Sequence, residues 1–202
     1  MHIDMSTLSP IQVYATMTQT IIPRPVAWAL TDSGNKNYNL APFSYFNGLT
    51  NDPAMVYLSI GPAPDGSMKD TRVNIERNKE FVINIAHREL AEAMTKSSAT
   101  MPHGESEVDM LGIELAEMPG SSLPRVAACR LAYACEFVEL HMLKQQAIVF
   151  AELKHLYIDD AACDKDAKGR LKVNAKGVDP LGRLGGGEYL TAGEIVSIER
   201  PR

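Results

Sequence analysis

Short apolar segments set the strongest limit on how this chain folds. Four of them in its first half are continuous or alternating in hydrophobicity, and each is bounded by Gly, Pro, Asn or Asp: Pro25–Thr31, Tyr38–Leu49, Ala54–Ile60 and Phe81–Ala86. Segments of this length and pattern predict β-strands. Met55–Leu58 and Phe81–Ile83 are almost wholly apolar, which is typical of strands covered on both faces.

Two longer segments, Leu131–Leu143 and Ala147–Ile158, predict a further pair of strands. In the second, apolar residues at alternating positions share one face while charged residues fall on the other. Only Lys144–Gln146 separate the two segments, so an antiparallel hairpin is the expected link. The Asn-Gly pair that marks many such turns is missing here.

Helical patterns are fewer. Arg88–Ser97 carries apolar residues on one stripe and predicts an amphipathic helix. A second helix is predicted over Ser67–Ile75, where Ser67 and Asp70 have the spacing of a capping box. Many short strands with two or three short helices favour a mainly β, antiparallel barrel with helical decorations.

The later part of the chain differs in composition. Residues 159–187 are polar and glycine-rich with Asp and Lys mixed, which predicts a long loop or arm that binds a partner or covers a cofactor. No repeat or low-complexity tract divides the sequence. We therefore expect one domain over residues 1–202.

Composition excludes several classes of protein. The formal charge of −5 in 202 residues lacks the basic excess of a nucleic-acid or anionic-membrane binder. No apolar run approaches the length of a spanning helix, and Met1–Pro10 lacks a signal-peptide pattern, so the cytoplasm is the expected compartment. Three cysteines without C-x-x-C spacing predict buried thiols and no structural zinc, and five dispersed histidines predict no metal site.

Common catalytic motifs are missing as well. The sequence contains no P-loop, no H-E-x-x-H and no G-x-S-x-G, and its one glycine cluster, Gly182–Gly187, does not match a dinucleotide-binding fingerprint. Catalysis by a recognisable side-chain triad or a Rossmann site is therefore not expected.

The segment Ser67–Asn74 has the features of an anion site. A helix start exposes unpaired N–H groups at the positive end of the helix dipole, Lys69 adds an ammonium, and Ser67 and Thr71 add hydroxyl groups. A phosphate monoester requires such donors. The alternative is an ordinary capped surface helix with a solvated Lys69.

A second candidate segment lies upstream at Asn39–Asn47. Pro42 inside a strand-like run predicts an edge or bulge where the hydrogen-bond ladder is broken. The freed backbone donors, with Ser44 and Asn47 and the apolar Phe43 or Phe46, are suited to a planar ligand. The alternative is a core strand with an edge proline.

These segments and several others resemble, in their order along the chain, the flavin-reductase-like, FMN-binding split-barrel family. The branch concerned includes the flavin reductase component of nitrilotriacetate-type monooxygenases and the flavoredoxins. The resemblance runs from about residue 23 to residue 156 and rests on the following segments: Pro23–Trp28, Asn39–Asn47, Asp52–Pro53, Met55–Gly61, Lys69–Ile75, Phe81–Asn84 and Leu90–Met94. It implies a six-stranded antiparallel Greek-key split barrel, a homodimer, and FMN in a groove near the subunit interface.

The resemblance also implies which residues contact FMN. Ala41–Asn47 would line the isoalloxazine ring, Ser59 would lie toward the ribityl chain, and Lys69 with Thr71 would hold the phosphate. The full expected set is Ala41, Pro42, Phe43, Ser44, Tyr45, Asn47, Ser59, Lys69, Asp70, Thr71 and Ser106.

One of these expected contacts lies in a turn that departs from the family pattern, and one residue outside the set is a further candidate. Ser106 stands where relatives have a Ser-Glu-Phe-like turn near the flavin, but Val108 replaces the aromatic residue here. Arg24 is a further candidate anion contact or, equally, a surface arginine between two prolines.

The activity implied by the resemblance is hydride transfer from NADH or NADPH to FMN, with reduced flavin passed to a partner monooxygenase. The chemistry belongs to the cofactor, so no side chain is assigned as catalytic. Two alternatives stay open: a protein that stores, carries or senses FMN without turnover, and a ligand-binding barrel without flavin. Nothing in the sequence distinguishes NADH from NADPH.

Overall fold

A computed structural model describes residues 1–198 and 201. The strands are β1 (Arg24–Pro25), β2 (Ala27–Gly34), β3 (Asn37–Phe43), β4 (Phe46–Asn51), β5 (Ala54–Ile60), β6 (Glu80–Ile85), β7 (Leu115–Ala116), β8 (Arg125–Val126), β9 (Leu131–Leu143), β10 (Gln146–Ile158), β11 (Cys163–Lys165), β12 (Leu171–Val173), β13 (Gly182–Arg183) and β14 (Tyr189–Leu190). The helices are α1 (Pro10–Thr20), α2 (Asp70–Asn78), α3 (Ala91–Lys96), α4 (Glu107–Leu111) and α5 (Ala175–Val178).

Seven strands form one antiparallel sheet in the order β3-β2-β6-β9-β10-β5-β4. Its two edge strands, β3 and β4, are joined by only Ser44 and Tyr45. Laid flat, six inter-strand gaps would separate these edges by about 29 Å, whereas the link spans at most about 11 Å. The sheet must therefore curl into a barrel, and it is split where β3 and β4 meet without pairing.

The predicted mainly β split barrel is confirmed, with seven strands in the main sheet instead of six. The predicted run Tyr38–Leu49 is two strands, because the chain leaves one edge of the barrel and enters the other at Ser44. Pro42 lies on the edge strand β3, as its missing N–H requires.

Both faces of the central strands are buried, as their apolar runs predict. On β2, Ala27 and Ala29 pack in one hydrophobic cluster with Phe81 of β6, while Trp28 and Leu30 pack in a second cluster on the opposite face. The second cluster is covered by α3, α4 and the loops up to β9. The barrel wall is therefore a layer between two cores.

The predicted hairpin of β9 and β10 is present, with Gln146 opposite Leu143. Lys144 in the turn has φ of 54°, a left-handed conformation for which Asn or Gly is the usual choice. A lysine fills this position, which explains why the turn carries no Asn-Gly signal.

The polar segment 159–187 contains more regular structure than a loop. It forms the small β11–β12 hairpin and α5, and its strand β13 pairs with β1 near the start of the barrel. Within residues 1–198, no helix combines the length and hydropathy needed to cross a membrane.

The predicted buried thiols are confirmed for Cys129 and Cys135, while Cys163 is half-buried. Burial raises the pKa of the Cys129 thiol to about 12, so it stays protonated and unreactive at neutral pH.

Asn84 joins the barrel wall to its outer layer. Its side chain, fully buried on β6, donates to the Trp28 carbonyl at 3.1 Å and accepts from the Val126 amide at 2.8 Å. A buried amide that loses its acceptor costs more than the hydrogen bond itself contributes.

We expect Asn84→Ala to lower the free energy of unfolding by about 1–3 kcal/mol, because the Val126 N–H is left unsatisfied. Asn51→Ala, at an exposed position on β4, is the control and should change it by no more than about 0.5 kcal/mol. Urea unfolding measures both. Equal small effects would show that Asn84 does not hold the outer layer.

Candidate functional site

A groove of about 640 Å³ opens beside the split of the barrel, within the size range of small-molecule sites. Three chain segments and one helix form its wall. They are Asn39 and Ala41–Phe43 of β3, Pro62–Asp65 and Ser67–Thr71 leading into α2, Ser97–His103 after α3, and Glu107 of α4. The two candidate segments predicted from the sequence therefore face one groove.

The start of α2 supplies uncapped backbone donors. The helix begins at Asp70, and Lys69 at its N-cap makes no side-chain cap. The predicted Ser67–Asp70 capping box is wrong, because the Ser67 hydroxyl donates to the nearer Asp65 carboxylate at 2.6 Å. The first-turn amides of Asp70 and Thr71 have no intrahelical acceptor, so they stay available to an anion.

Lys69 connects the two candidate segments. Its ammonium lies 5.5 Å from the centre of the Phe43 ring, within cation–π range. The groove partly desolvates the charge and so lowers the pKa of Lys69. Among the described residues, no carboxylate forms an ion pair with this ammonium, and an anion entering the groove meets an uncompensated positive charge.

Buried side-chain hydrogen bonds hold α2 against the barrel. Asn39 of β3 donates to the Thr71 hydroxyl at 2.9 Å and to Thr31 of β2 at 3.2 Å. Asn74, one turn further along α2, donates to the same Thr31 hydroxyl at 3.0 Å. This network fixes where the helix start lies relative to the edge strand.

Glu107 is a groove residue that the sequence reasoning missed. It is only 7% exposed, and its carboxylate accepts from the Leu40 amide at 2.9 Å. Burial raises the pKa of Glu107, assisted by the nearby charge of Asp70, although hydrogen bonds from the amides of Leu40 and of Glu107 itself oppose the shift. A glutamate inside the predicted Ser106–Val108 turn was the available signal.

The groove brings together six of the predicted contacts: Ala41, Pro42, Phe43, Lys69, Asp70 and Thr71. Ser44, Tyr45, Asn47, Ser59 and Ser106 do not line it.

The predicted residues outside the groove have other contacts. The Ser59 hydroxyl accepts from the Gln146 amide group at 2.8 Å, and Asn47 is exposed on β4. Ser106 is the N-cap of α4 and donates to the Tyr38 carbonyl at 2.7 Å. Ser106 thereby positions its neighbour Glu107.

Arg24, a further candidate anion contact, is buried and its donors are occupied. Its guanidinium donates to the carbonyls of Thr18 and Ile21 at the end of α1 and to that of Leu184. Its Nε donates to the Ser44 hydroxyl at 3.4 Å, so Arg24 also connects the end of α1 to the link between β3 and β4.

The fold and the groove together define a split-barrel protein with a site suited to an anionic ligand. The chain belongs to the family described as Flavin reductase like domain, whose model matches residues 17–173. A protein of Deinococcus radiodurans described as uncharacterized is 32% identical over 190 residues, covering 92% of this chain and 82% of that protein.

Two solved structures are similar over almost the whole chain. The 2-nitrobenzoate 2-nitroreductase NbaA of Pseudomonas fluorescens has 29% identity and a TM-score of 0.88, covering 100% of this chain and 96% of that one. Nitrilotriacetate monooxygenase component B of Bacillus cereus has 25% identity and a TM-score of 0.86, with 98% of each chain covered.

The raised pKa of Glu107 makes stability depend on pH. The unfolded chain has the ordinary glutamate pKa of 4.5, and the folded protein has a higher one. Between these two pH values folding takes up a proton, so the stability that Glu107 contributes falls as the pH rises. Glu107→Gln keeps an acceptor for Leu40 and removes the titration. We expect the variant to gain stability relative to the natural protein between about pH 4 and about pH 8 in urea unfolding. A difference that is constant over this range, or that falls with pH, would contradict the assignment.

Proposed function

We propose that this protein is an FMN-binding oxidoreductase of the flavin reductase type, which accepts hydride from NADH or NADPH. The observation that carries the proposal is the meeting of the α2 start, Lys69 and the β3 edge in one groove. Family membership and similarity to two proteins whose names describe redox enzymes support it.

The α2 side of the groove fits a phosphate monoester. The free amides of Asp70 and Thr71, the helix dipole and the ammonium of Lys69 all favour negative charge at the same place. The carboxylate of Asp65 is occupied by Ser67, and that of Asp70 accepts from the Gly104 amide. The anion therefore meets donors while the nearby acids are already hydrogen-bonded.

The β3 side fits a flat, partly apolar group. Ala41, Pro42 and Phe43 line the groove on an edge strand, where backbone groups are not all used in the sheet. FMN combines a planar ring with one phosphate, and we assign its ring to this side and its phosphate to α2. Five further residues remain proposed contacts, although none of them lines the groove: Ser44, Tyr45, Asn47, Ser59 and Ser106.

When bound, FMN supplies the hydride-accepting chemistry. The protein's part is positioning: Lys69 and the α2 amides fix one end of the cofactor, and the rigid edge strand fixes the other. Backbone donors toward a developing negative charge would favour the reduced cofactor. No side-chain acid or base is required for this role.

Two kinds of partner are proposed as well, a second copy of this chain and a protein that accepts electrons. In line with the family resemblance, we propose a cytoplasmic homodimer that passes electrons to a monooxygenase. Nitrilotriacetate monooxygenase component B is, by its name, one component of such a system. The nitroreductase relative suggests a small organic acceptor as the second choice.

We expect Lys69→Ala to weaken FMN binding by about 1.5–3 kcal/mol, through loss of a charge-assisted hydrogen bond to the phosphate. Riboflavin, which lacks the phosphate, should bind the variant almost as well as the natural protein. Flavin fluorescence titration measures both, and Lys168→Ala, at an exposed turn outside the groove, controls for the change in net charge. Equal losses of binding free energy for FMN and riboflavin would show that Lys69 does not contact the phosphate.

We expect anaerobic NADH or NADPH to bleach the visible absorbance of the FMN-loaded protein, because the groove holds the cofactor for hydride transfer. Comparing the two donors identifies the preferred nucleotide. Bound FMN that neither donor reduces would reject the reductase and leave an FMN carrier or sensor. A purified protein that takes up no FMN would reject both.

A further inference from the structure

One wall of the groove is a loop that is fixed at both ends. The loop, Ser97–Gly104, contains no helix or strand. At its first end the buried Ser97 hydroxyl accepts from the Trp28 indole at 2.8 Å and donates to the Met94 carbonyl at 2.8 Å. This end is thereby anchored to the barrel wall.

Asp70 anchors the second end. One oxygen of its carboxylate accepts from the Gly104 amide at 2.9 Å, and the other contacts the His103 ring. Asn37 of β3 adds a hydrogen bond to the Gly104 carbonyl. Between the two anchors, Ser98–Pro102 line the groove and are mostly exposed.

These contacts leave Asp70 badly suited to bind the cofactor phosphate. Its carboxylate carries the same sign of charge, and both oxygens already have partners in the loop. A carboxylate beside an anion site weakens binding unless it does something else that binding needs. Holding the wall in place is such a role.

We infer that Asp70 is a positioning residue, a latch that holds the Ser97–Gly104 wall over the bound flavin and slows its release. The inference rests on the proposed function for its flavin part. It replaces direct phosphate contact as the role of the Asp70 side chain, while the backbone amide of Asp70 is still assigned to the phosphate. Opening the latch frees Ser98–Pro102 and exposes the groove along one side.

Loss of the charge and loss of the latch should change flavin binding by the Asp70→Ala variant in opposite directions. Removing a carboxylate beside the phosphate site should, through charge alone, strengthen FMN binding and leave riboflavin unchanged. Removing the latch should instead speed the release of both flavins, because the wall contacts the ligand irrespective of its phosphate. We expect release of FMN and of riboflavin to become about tenfold faster.

The control is Glu105→Ala. It removes one carboxylate from the residue next to Gly104, at an exposed position outside the groove lining. We expect its release rates to match those of the natural protein in stopped-flow fluorescence. Asp70→Asn, which keeps an oxygen for the Gly104 amide, should release both flavins more slowly than Asp70→Ala. Tighter FMN binding by Asp70→Ala with unchanged riboflavin release would overturn the latch.

A second measurement needs no flavin. In the flavin-free protein, hydrogen exchange of the Gly104 amide should be faster in Asp70→Ala than in Glu105→Ala or the natural protein. His103→Gln should produce a smaller change in the same direction. Unchanged protection of Gly104 in Asp70→Ala would overturn the latch even if flavin binding is confirmed. Failure of the natural protein to bind either flavin would reject the proposed function, while this exchange result would still decide the role of Asp70.

Discussion

The architecture depends on one constraint of chain geometry: strands at opposite edges of a seven-stranded sheet are connected by two residues. Ser44 and Tyr45 can link β3 to β4 only if the sheet curls until its edges meet. Arg24 reinforces the link, since it contacts the Ser44 hydroxyl while binding the end of α1. The curled sheet leaves β3 as an edge strand, and residues of that edge line the groove.

Charge placement distinguishes this groove from an ordinary polar cleft. Each of its carboxyl groups accepts hydrogen bonds from within the protein, from Ser67, from Gly104 or from Leu40. Within residues 1–198 and 201, Lys69 forms no ion pair, and it lies at the positive end of a helix. The ammonium and the helix dipole therefore favour an anion at the start of α2, against the charge of the Asp70 carboxylate and the formal charge of −5 of the whole chain.

Much of the barrel was predictable because strand periodicity is a local property. The runs in β5, β6, β9 and β10 alternate or remain apolar according to which faces they bury. The break within Tyr38–Leu49 could not be predicted in this way, because it separates two strands that lie at opposite edges of the sheet. Ser67 shows the limit at short range, since Asp65, two residues away, competes for its hydroxyl.

In the candidate site, too, residues with a local sequence signature were predictable, and contacts between distant parts of the chain were not. Lys69, Thr71 and Phe43 could be predicted as candidates because helix starts and edge prolines have local signatures, and all three line the groove. Glu107 was missed because its role depends on the amide of Leu40, which is far away in sequence. Asp70 was predicted as a cofactor contact, but its side-chain partners His103 and Gly104 could not be predicted, because they lie in a loop that no periodicity describes.

The proposed activity requires that one FMN bridge the α2 start and the β3 edge. Amide chemical shifts of the isotope-labelled protein, followed during titration with FMN and with riboflavin, test it most directly. We expect the amide signals of Ala41 and Phe43 to shift with both ligands, whereas those of Asp70 and Thr71 should shift strongly only with FMN. Shifts confined to one of these segments, or centred on other residues, would contradict it.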